Sequence, residues 1–162
     1  MMLYLVRHAF AGQHGDPRYP DDGLRPLTSK GRKRFRRLVK KLARRGFAPV
    51  VVATSPLVRC RQTADEIADR FDLSEPPVEL AALEPGSQLD PLVEWTREQG
   101  ADEVAWVGHS PDVDRLAAVL LGARIGSLVF AKGAVAAVRF DDEIAPGQGE
   151  LLWFATPKSL GC

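Results

Sequence analysis

Two histidines follow apolar runs of the kind that form buried strands. His8 comes directly after Arg7 at the end of the run 3–6, and His109 follows the run 103–107. A neutral imidazole is a competent nucleophile toward phosphorus, while a protonated one stabilises phosphoryl oxygens in the transition state. The arginine beside the first histidine supplies forked, permanently charged donors that suit those oxygens. These residue types together predict phosphoryl-transfer chemistry.

A third strand end adds a second arginine. The run 50–53 leads to Ser55-Pro56, which begins a helix with Arg59 in its first turn, and another helix begins at Pro111. The carboxyl ends of parallel strands meet at the edge where ligands bind, so we expect both arginines and both histidines to converge there. Helix N-termini favour anions, and the convergence therefore predicts a phosphate pocket. A lone histidine at a strand end is more often structural. The prediction therefore depends on the combination of two histidines and two arginines at three strand ends.

The elements that must position these side chains follow from apolar periodicity. Strands are predicted at 3–6, 50–53, 78–80, 103–107, 128–130, 134–140 and 151–155. Helices are predicted from Thr28-Ser29 to Gly46, from Ser55-Pro56 to about Phe71, over 89–99, and from Pro111 to about Leu121. The long loop 11–27 is rich in Gly, Pro and Asp. This order predicts an α/β fold: a three-layer α/β/α sandwich, mainly parallel, with an antiparallel C-terminal addition, in one domain over 1–162.

Composition narrows the function classes. The chain has 162 residues, 45% of them hydrophobic, and a net charge of +1, which gives no overall attraction to nucleic acid or membranes. Its two cysteines, Cys60 and Cys162, form no metal-type pair and no disulfide framework. No apolar run is long enough for a membrane span or a signal peptide. We expect a cytoplasmic monomer that needs no metal or cofactor.

Four segments resemble the histidine phosphatase superfamily, which includes the phosphoglycerate mutases. Arg7-His8-Ala9 resembles its Arg-His-Gly signature, and Ser55 to Ala64 matches Ser-Pro-x-x-Arg-x-x-Gln-Thr-Ala. Gly108-His109-Ser110 is similar to the segment of the second histidine, and Arg25-Pro26-Leu27-Thr28 to the start of the first helix. The short chain resembles the SixA-type phosphohistidine phosphatases in particular. Ala9 departs from the usual glycine, and the long substrate-enclosing inserts of the mutases are absent.

The resemblance implies roles for the site residues. His8 becomes phosphorylated, while Arg7, Arg59 and His109 hold the phosphoryl group. The general acid is Glu84, from the loop after the third strand, or Asp22 in the first long loop, or neither. The implied substrate is phosphohistidine in a protein, with a small phosphate ester as the alternative.

Other functions fit the same residues less well or remain as alternatives. A serine nucleophile elbow around Ser110 lacks a later general-base histidine, and a cysteine phosphatase loop lacks its arginine because position 66 is Glu66. The run from Lys30 to Arg45 holds ten basic residues and no acidic one. It is either a solvated helix face or a docking surface for an acidic phosphoprotein, which leaves a non-catalytic binding module as a further alternative. His14 is predicted to be a structural or solvent-exposed loop residue.

Overall fold

The structure, a computed structural model, describes all 162 residues. Its strands are β1 (Met2–Arg7), β2 (Val51–Thr54), β3 (Val78–Glu79), β4 (Glu103–Gly108), β5 (Val135–Arg139) and β6 (Glu150–Ala155). Its helices are α1 (Ser29–Ala43), α2 (Val58–Phe71), α3 (Leu89–Gln99) and α4 (Asp112–Leu120), with 3-10 turns at Asp22–Leu24 and Ala81–Leu83. None of the helices is long and apolar enough to cross a membrane.

The six strands form one sheet in the order β3-β2-β4-β1-β5-β6. The pairs β1–β4, β2–β4 and β2–β3 are parallel, while β5 pairs antiparallel with β1 and with β6. The predicted α/β fold, with its antiparallel C-terminal addition, is therefore confirmed. In the register of β1 and β4, Arg7 lies opposite Gly108, so His8 and His109 leave the sheet side by side.

Buried side chains cover both faces of the sheet. On one face, Tyr4 and Val6 of β1 belong to a cluster of 19 buried residues that includes the apolar stripe of α1 and part of α2. On the other face, Leu3 and Leu5 belong to a cluster of 17 that includes residues of α3 and α4. Alternate side chains of one strand point to opposite faces, and burial on both sides explains why β1 is a continuous apolar run.

The predicted strand at 128–130 is wrong. Phe130 is fully buried, but its N–H donates to the Asp114 carboxylate at 3.0 Å and its carbonyl accepts from Arg7 Nη1 at 2.6 Å. Side chains thus form the hydrogen bonds to the N–H and carbonyl of Phe130 that a neighbouring strand would otherwise form. The apolar run 128–130 therefore reflects the burial of the Phe130 side chain and not a strand. Its neighbour Val129 is 66% exposed.

The start of α1 is fixed against the segment that follows His8. Thr28 is the N-cap, with its hydroxyl accepting from the Gly31 N–H at 2.9 Å. The Thr28 N–H donates to the Phe10 carbonyl at 3.0 Å. A Cβ on Gly31 would lie 2.2 Å from that carbonyl oxygen, so only glycine allows this approach. The helix therefore holds the residues after the first histidine in place.

Candidate active site

His8 and His109 lie together at the carboxyl edge of the sheet. Their ring centroids are 5.5 Å apart, and the residues are 6% and 4% exposed. The His8 N–H donates to the Gly108 carbonyl at 3.0 Å, which extends the β1–β4 pairing to the histidine itself. Parallel pairing thus places the two imidazoles next to each other, beside the N-termini of α2 and α4.

Hydrogen bonding assigns the ring proton of His8. Its Nδ1 lies 2.7 Å from the Ala9 carbonyl oxygen, which can only accept, so Nδ1 carries the proton and Nε2 keeps its lone pair. Burial is the largest cause that lowers the pKa of His8 to about 3, and the charges of Arg59, His109 and Arg7 add to it. The ring is therefore neutral near pH 7, with Nε2 available as a nucleophile.

The segment around Ala9 is held from two sides. Thr63 Oγ1 on α2 accepts from the Ala9 N–H at 3.0 Å, and the Gly133 N–H donates to the His8 carbonyl at 2.9 Å. Neither contact involves the Ala9 side chain, which is buried. The methyl group that replaces the usual glycine hydrogen is accommodated without loss of these bonds.

Two arginines beside the histidines retain unpaired donors. Arg59 Nη2 lies 3.4 Å from His109 Nδ1, and Arg7 Nη1 donates to the Phe130 carbonyl. The Nε atoms of both arginines are buried without a hydrogen-bond acceptor. Burial lowers the pKa of both guanidinium groups. A buried unpaired donor costs about 1–3 kcal/mol, so an anionic ligand that satisfies these donors gains binding energy from them.

His109 is oriented by the start of α2. Its Nε2 lies 2.9 Å from Ser55 Oγ and 3.4 Å from the Cys60 sulfur. Burial, followed by the charge of Arg59, lowers the pKa of His109 to about 4, so the ring is neutral in the ligand-free site. A phosphoryl dianion placed beside the ring acts in the opposite direction and favours the imidazolium. Burial raises the pKa of the Cys60 thiol to about 12, which agrees with the exclusion of a thiolate nucleophile.

Comparison with known proteins identifies the family of this chain. The family model of the histidine phosphatase superfamily (branch 1) matches residues 3–85. The chain belongs to the histidine phosphatase superfamily. It is 35% identical to an uncharacterized protein of Picosynechococcus sp. over 129 residues, which are 78% of this chain and 76% of the relative.

The similarity to SixA-type members of the superfamily extends over almost the whole chain. Phosphohistidine phosphatase SixA of Escherichia coli is 26% identical over 163 residues, covering 99% of this chain and 96% of that protein. A solved structure of the protein histidine phosphatase SixA complexed with tungstate has a TM-score of 0.84 at 26% identity, with 99% of both chains covered. The chain is therefore a phosphatase of the SixA type.

In this histidine phosphatase, Asp22 contacts the site without being free to donate a proton. Its Oδ1 accepts from Arg25 Nε at 2.8 Å and from His14 Nδ1 at 3.0 Å, and its Oδ2 lies 3.2 Å from Arg59 Nη1. The Arg59 Nη1 also donates to the Asp22 backbone carbonyl at 2.8 Å. The hydrogen bond from Arg25 is the largest cause that holds the pKa of Asp22 well below its usual range. The arrangement orients Arg59 and keeps the carboxylate ionised.

Glu84 lies on the expected loop but makes no contact with the histidines. Its side chain is exposed and forms no hydrogen bond or ion pair, although its backbone carbonyl accepts from Ser87 Oγ at 3.1 Å. The loop is tied to the start of α4, because the Gly86 N–H donates to Asp112 Oδ2 at 3.0 Å. The structure thus brings together Arg7, His8, Arg59, His109 and Asp22, and leaves Glu84 outside this group.

Ser55 lies at the strand end where the sequence predicts it, but several other residues around the site are missing from the sequence-based prediction. They are Thr63, Arg25, Asp114 and Lys132. The first two lie in segments that carry the family resemblance, so those segments held a signal for them. Asp114, whose charge acts on Arg7, and Lys132, which is close enough to feel the charges of Arg7, Arg25 and Arg59, lie in segments without such a signal. No group of His, Cys, Asp or Glu side chains is arranged to hold a metal ion.

Proposed function

We propose that this histidine phosphatase removes the phosphoryl group from phosphohistidine in a protein, through a phosphorylated His8. The observation that carries this substrate class is that neither candidate carboxyl is suited to protonate a leaving group. Asp22 is held ionised by Arg25, and Glu84 is exposed without contacts. An alkyl phosphate needs such an acid, whereas phosphohistidine leaves as neutral imidazole when its other ring nitrogen is protonated.

In the first step, Nε2 of His8 attacks the phosphorus of the substrate. The P–N bond of the substrate breaks, and its electron pair stays on the departing imidazole nitrogen. Arg7 and Arg59 supply donors to the phosphoryl oxygens, whose charge they stabilise in a site shielded from water. The incoming dianion raises the pKa of His109, and the resulting imidazolium adds a further positive charge.

In the second step, a water molecule attacks the phosphorus carried by His8. The P–Nε2 bond breaks, the electron pair returns to Nε2, and both protons of the water leave with inorganic phosphate, as dihydrogen phosphate. The Nδ1–H of His8 stays on the Ala9 carbonyl, at 2.7 Å in the free enzyme. Since this proton is retained, the nucleophile also leaves as neutral imidazole, and the phosphorylated enzyme needs no strong acid.

We infer that the reaction is independent of metal ions. Two guanidinium groups and His109 surround the phosphoryl position and supply the charge that a divalent ion provides in other phosphoryl-transfer enzymes. Dialysis against a chelator is expected to leave the turnover rate unchanged. A loss of activity that Mg²⁺ or Mn²⁺ restores would overturn this inference.

A substrate panel tests the proposed class. One carrier protein bearing phosphohistidine, the same protein bearing phosphoserine, and p-nitrophenyl phosphate are compared by release of inorganic phosphate. We expect kcat/KM for phosphohistidine to exceed that for phosphoserine by about 10² or more, the usual contribution of general acid catalysis. Equal or faster hydrolysis of phosphoserine would indicate a phosphomonoesterase. Binding of all three without turnover would indicate the non-catalytic module.

The variant Glu84→Gln provides an independent check on the acid. If no carboxyl protonates the leaving group, this substitution leaves the turnover of every substrate in the panel unchanged. A selective loss of about 10²–10⁴ for phosphoserine would instead identify Glu84 as a general acid for esters.

A further inference from the structure

A groove of about 310 Å³ lies immediately beside the residues that follow His8. We define the Phe10 groove by five of its lining residues: Ala9, Phe10, Arg34, Lys132 and Lys158. The first two continue the chain from the nucleophile, and the other three come from α1, from the segment before β5 and from the segment after β6. No acidic residue lines the groove.

We propose that the Phe10 groove binds an acidic segment next to the phosphorylated histidine of a protein substrate. The proposal rests on the proposed function, because it assigns to the same site the residues that surround the phosphohistidine. It adds a recognition surface that a small phosphate ester does not need.

The charges in the groove are available to a partner. Arg34 Nε donates to the Cys162 backbone carbonyl at 2.7 Å, and Lys132 Nζ lies 3.5 Å from the Gly12 carbonyl. Lys158 is exposed and makes no hydrogen bond through its ammonium group. Lys132 and Lys158 form no ion pair with an Asp or Glu side chain of this chain, while Arg34 is held by the oxygen of Cys162. Positive charge from three side chains around one recess complements an acidic segment.

An aromatic ring gives the groove a fixed apolar wall. Phe10 is 48% exposed, yet its carbonyl accepts from the Thr28 N–H at 3.0 Å and lies against Gly31. Lys132 Nζ lies 4.5 Å from the centroid of the Phe10 ring. The backbone of Phe10 is therefore held in place, and its ring is exposed beside a cation that also lines the recess. Exposed aromatic side chains are enriched at protein-binding surfaces.

The groove lies next to the backbone that carries the nucleophile, because Ala9 lines it directly after His8. The Gly133 N–H donates to the His8 carbonyl at 2.9 Å, so the backbone next to Lys132 is fixed to the nucleophile. Burial lowers the pKa of Lys132, and the charges of Arg7, Arg25 and Arg59 add to this effect, which shows that the ammonium group shares the electrostatic field of the pocket. This adjacency places the groove within reach of residues that flank a phosphohistidine bound at His8.

Two phosphohistidine peptides of one sequence test the proposal. One carries Asp and Glu beside the phosphohistidine, the other Asn and Gln, and both are phosphorylated with phosphoramidate. We expect the native chain to prefer the acidic peptide by about tenfold in kcat/KM, as a few partly desolvated ion pairs provide. Equal rates on both peptides would overturn the proposal. Hydrolysis of neither peptide would count against the proposed function, and anisotropy of the unphosphorylated, labelled peptides would still compare their binding to the groove.

Charge variants locate the preference. Lys158→Glu, alone and combined with Arg34→Gln, is expected to remove the preference while neutral-peptide turnover changes less than about twofold. The control is Arg70→Glu, an exposed arginine without an ion pair in the last turn of α2. An equal loss of preference in Arg70→Glu would show a general field effect and overturn the assignment. Single-stranded DNA and unlabelled acidic peptide are also compared as competitors for the labelled acidic peptide. If the DNA displaces it at lower concentrations than the unlabelled peptide does, the groove is a nucleic-acid site instead.

Discussion

The phosphoryl pocket and the outer face of α1 are both rich in cations, but they differ in how those cations are held. In the pocket, Arg59 is 6% exposed, and its Nε and that of Arg7 are buried without acceptors. On α1, eight of the ten basic residues between Lys30 and Arg45 are exposed. A buried cation has lost most of its hydration free energy, and its attraction to an anion is less weakened by the surrounding medium. The pocket cations therefore bind an anion far more strongly than the exposed ones.

The origin of the two regions explains the difference. The pocket takes its side chains from the ends of three strands, which converge because β1, β2 and β4 are parallel. The cations of α1 come from one helix and spread along its length. Some of them already have partners, since Arg32 and Arg36 pair with the buried Glu66. Convergence from separate elements, rather than the number of charges, distinguishes a reaction site from a charged surface.

The largest effect is expected at His8. His8→Ala and the nearly isosteric His8→Asn remove the nucleophile, so we expect turnover to fall below detection while urea unfolding remains cooperative. The native chain quenched during turnover should carry a phosphoryl label that is stable to base and labile to acid. A His8→Asn protein with native turnover would contradict the covalent mechanism and remove the main distinction between the two regions.

The next effect is expected at Arg59, where geometry and charge can be separated. Arg59→Lys keeps a positive charge but loses the forked donors, so kcat should fall by about 10²–10³. The matched control is Arg61→Lys on the same helix, since Arg61 is half-exposed and pairs with Glu79 at 2.8 Å. Steady-state kinetics on p-nitrophenyl phosphate compare the two variants. Equal activity would mean that burial of the guanidinium does not matter for catalysis.

This contrast also explains what the sequence predicts well. The positions of Arg7, His8, Arg59 and His109 follow from strand ends and parallel pairing, because a strand that is buried on both faces is an unmistakable apolar run. The chain order of the elements follows from the same patterns. The segment 128–130 fails because an apolar residue such as Phe130 can be buried while its backbone bonds to side chains from elsewhere.

The state of the acidic residues is harder to predict from sequence. Asp22 and Glu84 are both carboxylates in loops, and the one difference along the chain is that Arg25 follows Asp22 by three residues, whereas no basic residue lies as close to Glu84. Only the fold brings Arg59 and His14 to Asp22 and leaves Glu84 exposed. Lys132 is equally hard to predict. It lies beside Phe10 because the N–H of the next residue, Gly133, donates to the His8 carbonyl and so joins distant parts of the chain.

A smaller effect concerns stability and pH. The folded chain holds the pKa of His8 at about 3 and that of His109 at about 4. An unfolded histidine titrates near 6.5, so only the unfolded state takes up these protons as the pH falls from about 7 to about 5. The free energy of unfolding should therefore decrease over this range, by roughly 1–2 kcal/mol for each histidine.

Urea unfolding at a series of pH values measures this effect. His8→Asn and His109→Asn should each flatten the dependence between about pH 7 and pH 5. The depressed pKa of Asp22 adds a further loss only as the pH falls below about 4, where the unfolded carboxylate takes up a proton while the folded one stays ionised. Native stability that is unchanged from pH 7 to pH 5 would show that the pocket is not desolvated, contrary to its contrast with α1.

The smallest effect is expected on the outer face of α1. A surface recess there is lined by Ser29, Lys30, Lys33, Arg36 and Arg37, and the exposed cations continue to Lys40. Reversing Lys33, Arg37 and Lys40 to Glu leaves the ion pairs of Glu66 intact. Small esters need only the pocket, so turnover of p-nitrophenyl phosphate should not change. An acidic phosphoprotein is attracted over longer distances, and its kcat/KM should fall several-fold at low salt.

Ionic strength separates this attraction from contact binding. Exposed charges are screened over about 10 Å at 0.1 M salt, so the difference between native and charge-reversed chains should disappear as salt is raised. The preference for an acidic peptide in the Phe10 groove depends on closer contacts and should persist further into the same salt series. Arg70→Glu serves as the control for a single distant charge. Equal protein-substrate rates for the native and reversed chains at every salt concentration would mean that the face of α1 is only solvated, and that the pocket and its groove account for all substrate recognition.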